Sequence, residues 1–207
     1  MEELVENPKP HLILASGSPR RRELLKSAGL RFTVKPSSVE EDLLDGETPE
    51  EHASRLALAK AMDVAKSFPG EWVLAADTIV VIDGQILGKP QDEQEARRML
   101  GKLAARTHEV FTAYAILRSS SRSEPRVRCL RSEVHIRDLT ANEIAVYVST
   151  GEPMDKAGAY AIQGIGSSIV ERISGSYTNV VGLPLCEVMR DLKDLGIFDF
   201  LAGDRQR

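Results

Sequence analysis

The sequence predicts an α/β (α+β) domain built on a mixed, twisted sheet with flanking helices. Strand-like apolar runs and helix-like periodic stretches alternate irregularly, Asp83-Gly84 marks a hairpin, and no internal repeat or linker interrupts the 207 residues. A doubly wound parallel sheet would require strict alternation of strand and helix instead. The length suits one sizeable domain, placed at residues 11–200 between polar termini at 1–10 and 201–207.

The elements follow in order. Leu12 to Ala15 is a short apolar run that reads as a buried strand, and Ser16-Gly17-Ser18 as a turn. Ser18 is a good N-cap, Pro19 occupies the favoured first helical position, and Gly29 stops the helix. A second short strand lies in "LRFTVKPSSVEED" and ends in an acidic loop carrying Glu40, Glu41 and Asp42. Thr48-Pro49-Glu50-Glu51 is a capping box that opens a helix to about Lys66, with Ala53, Leu56, Ala57, Ala61 and Val64 on one face. Lys60 falls inside that stripe. "WVLAADTIVVI" reads as a long strand interrupted by Asp77, turning at Asp83-Gly84 into a hairpin. Residues 92–105 have helical spacing, with Met99, Leu100 and Leu103 inward, and two strands follow in "HEVFTAYAILR" and "RVRCLRSEVHIRDL". The polar tract Ser119 to Pro125 between them reads as an exposed loop. Thr140 and Glu143 form a second capping box, for a helix ending near Gly151. "DKAGAYAIQGIGSSIVERISGSYTNVVGLP" suggests strands and close-approach turns, and a last helix runs from Pro184 to Gly196.

The formal net charge of −4 and a complement of one Trp, four Tyr and five Phe argue against a nucleic-acid binder, so any anion site must be local. Cys129 and Cys186 form no C-x-x-C pair, and His11, His52, His108 and His135 lack metal-ligand spacing, which points to reduced thiols in the cytoplasm. No stretch approaches the roughly 20 apolar residues of a membrane span.

Three consecutive arginines, Arg20 to Arg22, open the first helix at its positive end. Positive charge is unwelcome there, because the helix N-terminus carries roughly half a positive charge and unpaired N–H groups. Ser16, Ser18, Arg20, Arg21 and the amides of that turn suit a polyphosphate. The plainer alternative is a solvated basic helix end whose arginines pair with neighbouring glutamates; Arg22, at a different angle, is expected to face solvent in either case. Asp77 must be paired, metal-bound or at a strand end, since a bare carboxylate inside costs several kcal/mol. Lys60 either reaches a phosphate or snorkels past the core, while Lys89, after the hairpin in "LGKP", is a weaker signal alone, since most such lysines are merely exposed. Glu40 and Glu41 could join Asp77 in holding Mg²⁺, which takes one or two carboxylates plus phosphate oxygens. Gln163 is followed by glycines that would let backbone approach a ligand, and its amide could read a base edge. "SGSYTNVVG" could line the same site.

Together "LASGSPRRRELL", "VEED", "RLALAKA", "AADTIVV", "LGKP" and "DKAGAYAIQG" resemble, in order, the motifs of the Maf family of nucleoside triphosphate pyrophosphatases. The resemblance implies two lobes around a deep cleft, similar to the inosine triphosphate pyrophosphatases. It implies hydrolysis of dTTP and UTP, with CTP and modified pyrimidine nucleotides as further substrates, at the α–β phosphoanhydride to monophosphate and pyrophosphate. By motif position Asp77 is the catalytic carboxylate, working with Lys60 and Lys89. Ser18, Arg21, Lys60 and Lys89 hold the triphosphate, and Glu40 or Glu41 helps Asp77 with a divalent metal, Mg²⁺ with Mn²⁺ or Co²⁺ as substitutes. Arg20, Thr78 and Gln163 match the positions of substrate choice. The resemblance extends to the Maf-like portion of the acetylserotonin O-methyltransferase-like protein of vertebrates, which implies a fused methyltransferase-like domain outside these residues. A homodimer is the expected assembly. A contrasting expectation is a nucleotide-binding regulator of cell division that keeps the pocket without turnover.

Overall fold

A computed structural model describes residues 11–119 and 124–198. Most of the polar tract after Ser119 and both terminal stretches lie outside those residues. Seven strands form one mixed sheet in the order β2-β1-β3-β5-β6-β7, with β4 on the open edge of β3. β1 (Leu12–Leu14) runs parallel to both β2 (Thr33–Val34) and β3 (Trp72–Ile82). β4 (Gln85–Leu87), β5 (Thr107–Arg118), β6 (Arg126–Ile136) and β7 (Val170–Ser174) complete it in antiparallel pairings.

Local chemistry sets most boundaries as the sequence predicts. α1 (Pro19–Ser27) is capped by Ser18, and Gly29 beyond it takes the left-handed φ of 78°. α2 (Pro49–Ala65) and α4 (Ala141–Ser149) carry complete capping boxes, in which Thr48 and Thr140 exchange hydrogen bonds with Glu51 and Glu143. Each box satisfies two otherwise unpaired amides, and losing its threonine costs about 1 kcal/mol. Asp83 and Gly84 both have positive φ, 52° and 72°, so the β3–β4 hairpin closes through a primed two-residue turn that matches strand twist. α3 (Glu93–Leu103) buries Ala96, Met99, Leu100 and Leu103. α6 (Leu185–Asp194) is the last helix among the described residues.

The Gly- and Ser-rich stretch after α4 departs from the expectation of several strands. It forms 3₁₀ turns at Glu152–Asp155, Ala157–Ala159 and Gly164–Ser168, then β7 and the short α5 (Tyr177–Val181). Gly151, Gly158 and Gly164 all have positive φ, which breaks any extended run. Gly158 is needed for a second reason: a Cβ there would sit 2.9 Å from Val80 Cγ1.

Strand β3 organises three hydrophobic clusters by its period of two. Val73, Ala75, Ile79 and Val81 face α2, where Ala53, Ala57 and Ala61 let helix and sheet approach closely. On the other face, Leu74 and Ala76 pack with Leu25 of α1 and with Val188 and Leu192 of α6. Val80 and Ile82 of that same face pack instead with α3 and α4. Thr78 falls between these two clusters, and the division opens a cleft beside it.

Candidate functional site

The cleft lies where the sheet is locally incomplete. β1 pairs with β3 only as far as Leu74, and β4 joins the same edge of β3 only from Val80. Between them β3 presents Asp77 and Thr78 beside the carboxyl end of β1, which is where ligands commonly bind in open α/β sheets. The cleft holds about 360 Å³, within the range of small-molecule sites. Its walls include the Ser16–Arg21 turn, Lys60, Lys89, Lys156 and Gln163.

Asp77 is 6% exposed and its parity turns it toward α2. There the Lys60 ammonium, 8% exposed, donates to Asp77 Oδ1 at 2.6 Å and to Glu41 Oε1 at 2.5 Å. Lys60 therefore neither snorkels outward nor stands alone: it bridges two carboxylates at the cleft. Burial pushes the Glu41 carboxyl up, but the bond from Lys60 and the charges of Lys60, Lys89 and Arg21 outweigh it and hold the group below its ordinary value.

Arg21 turns inward and braces three segments. Its Nε donates to the Gly182 carbonyl at 2.8 Å, one terminal nitrogen to Ser16 Oγ at 3.1 Å, and the other to Thr78 Oγ1 at 3.0 Å. Burial lowers its pKa, while Asp77 acts in the opposite sense. Thr78 and Thr112 hydroxyls lie 3.0 Å apart, and Thr112 donates to the Asn179 carbonyl at 2.8 Å, so the "SGSYTNVVG" segment is tied to the central strands. Ser16 Oγ also accepts from the Ser18 amide, and Ser18 caps α1. These serines and Arg21 thus shape the cleft-facing turn by bonding within the protein. Arg20 reaches across to Asp155 at 3.7 Å, and Arg22 is exposed beside Glu23, as expected for that residue.

The geometry bears on two expectations. Of the two glutamates that could help Asp77, Glu41 lines the cleft with Val39, while the intervening Glu40 is exposed and not in its lining. The glycines after Gln163 do not clear space for a ligand either, since a Cβ on Gly164 would meet the Glu152 carboxylate. Among the described residues no three His, Cys, Asp or Glu side chains form a metal-binding group. Glu41 and Asp77 nevertheless provide the one or two carboxylates that Mg²⁺ uses when phosphate oxygens supply other positions, so the donor set fits a metal shared with a phosphorylated ligand.

Sequence reasoning missed Asp155, Lys156 and Tyr160, which also line the cleft. Tyr160 could have been flagged only through a partner far away in sequence, His108, whose Nε2 lies 2.7 Å from the Tyr160 hydroxyl. Burial, with a smaller contribution from His135, pushes the His108 imidazole from 6.5 down to about 4. The folded state therefore binds fewer protons than the unfolded chain between those values. The stability this supplies is fully present above pH 6.5 and is lost as pH falls toward 4, by about 3 kcal/mol. Denaturation between pH 6.5 and 4.5 is expected to show that slope and His108→Gln to flatten it. Glu47 and Glu143, held at about 2, lose their contributions only below their ordinary 4.5. An equal slope in the variant would place the titrating group elsewhere.

The fold and the site define a class: an α/β protein whose sheet is interrupted by a cleft lined with cations around an internal carboxylate. The chain belongs to the family of Maf-like proteins, whose sequence model matches residues 11–195. It is 51% identical over 191 residues to the dTTP/UTP pyrophosphatase of Geotalea uraniireducens, covering 92% of this chain and 98% of that one. It is 52% identical over 188 residues to the dTTP/UTP pyrophosphatase of Geobacter sulfurreducens, covering 91% and 98%. Among solved structures, a HAM1 protein from Coxiella burnetii shares the fold at a TM-score of 0.50 and 16% identity, with 89% of this chain and 99% of that one covered. Among the described residues no helix is long and apolar enough to cross a membrane.

Proposed function

We infer that this chain is a nucleoside triphosphate pyrophosphatase that converts dTTP and UTP to the monophosphate and pyrophosphate. The observation that carries the reading is the buried Asp77–Lys60 pair, joined by the more exposed Glu41, in a cation-lined cleft. The names of relatives half identical over nearly their whole length give the nucleotide.

The triphosphate carries about four negative charges, which repel an attacking water until they are neutralised. Lys60, Lys89 and Arg20 face the cleft for that task, and Arg21 braces the turn on which they converge. Asp77 orients the water and takes its proton as the water oxygen bonds to phosphorus and the α–β bridge breaks. Glu41 and Asp77 would hold a divalent ion, Mg²⁺ by their all-oxygen character, which supplies further neutralisation of phosphate charge when bound. Gln163 and Thr78 stand toward the nucleoside side, although the Thr78 hydroxyl is already engaged with Arg21 and Thr112. The reading extends to a homodimer, the commonest symmetric assembly, and to a reducing cytoplasm, with which the free Cys129 and Cys186 are compatible.

Anion-exchange analysis of products from separate incubations with dTTP, UTP, CTP, GTP and ATP and Mg²⁺ tests the reading. Monophosphate and pyrophosphate, formed fastest from dTTP and UTP, are expected. Diphosphate and orthophosphate would place the broken bond elsewhere, and no turnover would favour a binding regulator.

A further inference from the structure

Ala161, Ile162 and Gln163 line the cleft, and two side chains outside it grip the stretch 161–166 to which they belong. The Tyr147 hydroxyl, near the end of α4, accepts from the Ala161 amide at 3.1 Å and donates to Glu152 Oε1 at 2.8 Å. The Glu152 carboxylate accepts in turn from the Ile165 amide at 3.0 Å and the Gly166 amide at 2.8 Å. The segment is thus fastened at both ends, with Gln163 midway and its side chain exposed at the cleft. Glycine makes the grip possible. Gly164 has a φ of 68°, and a Cβ on Gly166 would lie 2.5 Å from the Tyr147 hydroxyl oxygen. Neither Tyr147 nor Glu152 lines the cleft.

We propose that Glu152, acting through Tyr147 and the backbone of 165–166, is a positioning residue for nucleotide selection that fixes Gln163 without touching substrate. The proposal rests on the pyrophosphatase reading above, in which the phosphates lie toward Lys60 and Lys89. A carboxylate accepting two backbone N–H groups and a phenol is a strong local anchor, since charge-assisted hydrogen bonds are about twice as strong as neutral ones. A 3₁₀ segment released from it must be ordered again on each binding event, which weakens affinity. The carboxylate's hydrogen bonds go to Tyr147 and to the 165–166 amides, while the Glu152 carbonyl that accepts from Lys156 at 3.3 Å stays in place in Glu152→Gln, so loss of the charge acts on nucleotide affinity and preference more than on the phosphate side.

Glu152→Gln and Tyr147→Phe test this with three readouts: kinetics with dTTP and GTP, inhibition by inorganic triphosphate, and hydrogen exchange of residues 161–166. In each variant KM for dTTP is expected to rise about tenfold, the scale of one lost charge-assisted hydrogen bond, with kcat nearly unchanged. The preference for dTTP over GTP shrinks, inorganic triphosphate inhibits as before, and the Ile165 and Gly166 amides exchange faster. A fall in kcat with KM and preference unmoved overturns the proposal. So does parallel weakening of triphosphate inhibition, which would mean that the whole cleft has loosened. If the unaltered protein turns over no nucleotide, the pyrophosphatase reading fails by itself. Exchange still judges the grip in that case, and unaltered exchange in Glu152→Gln rejects it.

Discussion

Asp77→Asn is expected to fold normally and to lose about 10²–10⁴-fold in kcat, the usual contribution of a positioned acid or base. The fold should survive because the buried ammonium keeps a charged partner: Lys60 also donates to Glu41 at 2.5 Å. Asparagine has the same shape and its amide oxygen can still accept from Lys60, so neither a cavity nor an orphaned charge results. What disappears is the negative charge that, in the proposed mechanism, takes a proton from water and would share a metal with Glu41. Circular dichroism and thermal melting establish folding, and steady-state kinetics with dTTP separate kcat from KM. A rise in KM with kcat preserved would make Asp77 a binding group only. An unaltered rate would remove it from the mechanism.

Asp77 was legible because an acid inside "WVLAADTIVV" breaks an apolar run, and Lys60 because it lies in the buried stripe of α2. Their contact was not legible. It depends on the approach of α2 to β3, which the small side chains of Ala53, Ala57 and Ala61 permit but no local pattern specifies. The same limit applies to the arginines. Cap chemistry placed all three at the start of α1, yet only the fold brings the Gly182 carbonyl, Ser16 and Thr78 around Arg21. Choosing between Glu40 and Glu41 likewise required the direction of the loop. Glu152 was hidden for a different reason: the glycines that accommodate it lie twelve and more residues onward, and glycine beside glutamine is equally consistent with a ligand's approach. Local signals thus disclosed which residues were unusual, while long-range packing decided what each one meets.

Asp191 shows the converse, a group whose signal was present but unread, and its removal is expected to be the most damaging to stability. It lies between Val188 and Leu192 on the buried face of α6 and is fully buried. One carboxylate oxygen accepts from Arg126 at 3.0 Å and Arg128 at 2.9 Å, and the other from the Tyr114 hydroxyl at 2.7 Å. The register of β5 and β6 assembles these donors, placing Arg128 opposite Tyr114 and Arg126 opposite Ile116. Burial, followed by the bond to Asp191, pushes the Tyr114 phenol well above its ordinary value. Asp191→Ala strands that phenol and removes the buried partner of two guanidinium groups, although Arg126 keeps Asp194 at 3.6 Å and both arginines are exposed enough to regain some water. The expected loss is about 4 kcal/mol, the scale of breaking a buried ion pair from one side. For a domain of this size that lowers Tm by roughly 10 °C. Tyr114→Phe removes one donor and is expected to cost about 1 kcal/mol, and the double variant less than the sum of the two. Chemical denaturation of the four proteins measures the coupling. Additive losses would mean that Asp191 stabilises α6 independently of Tyr114, through the two arginines alone. A fall in Tm of less than about 2 °C would mean that water restores every bond the carboxylate makes. Because α6 begins three residues after Gly182, whose carbonyl Arg21 holds, this buried acid supports the Thr78 side of the cleft from the same face of the sheet that α1 packs on.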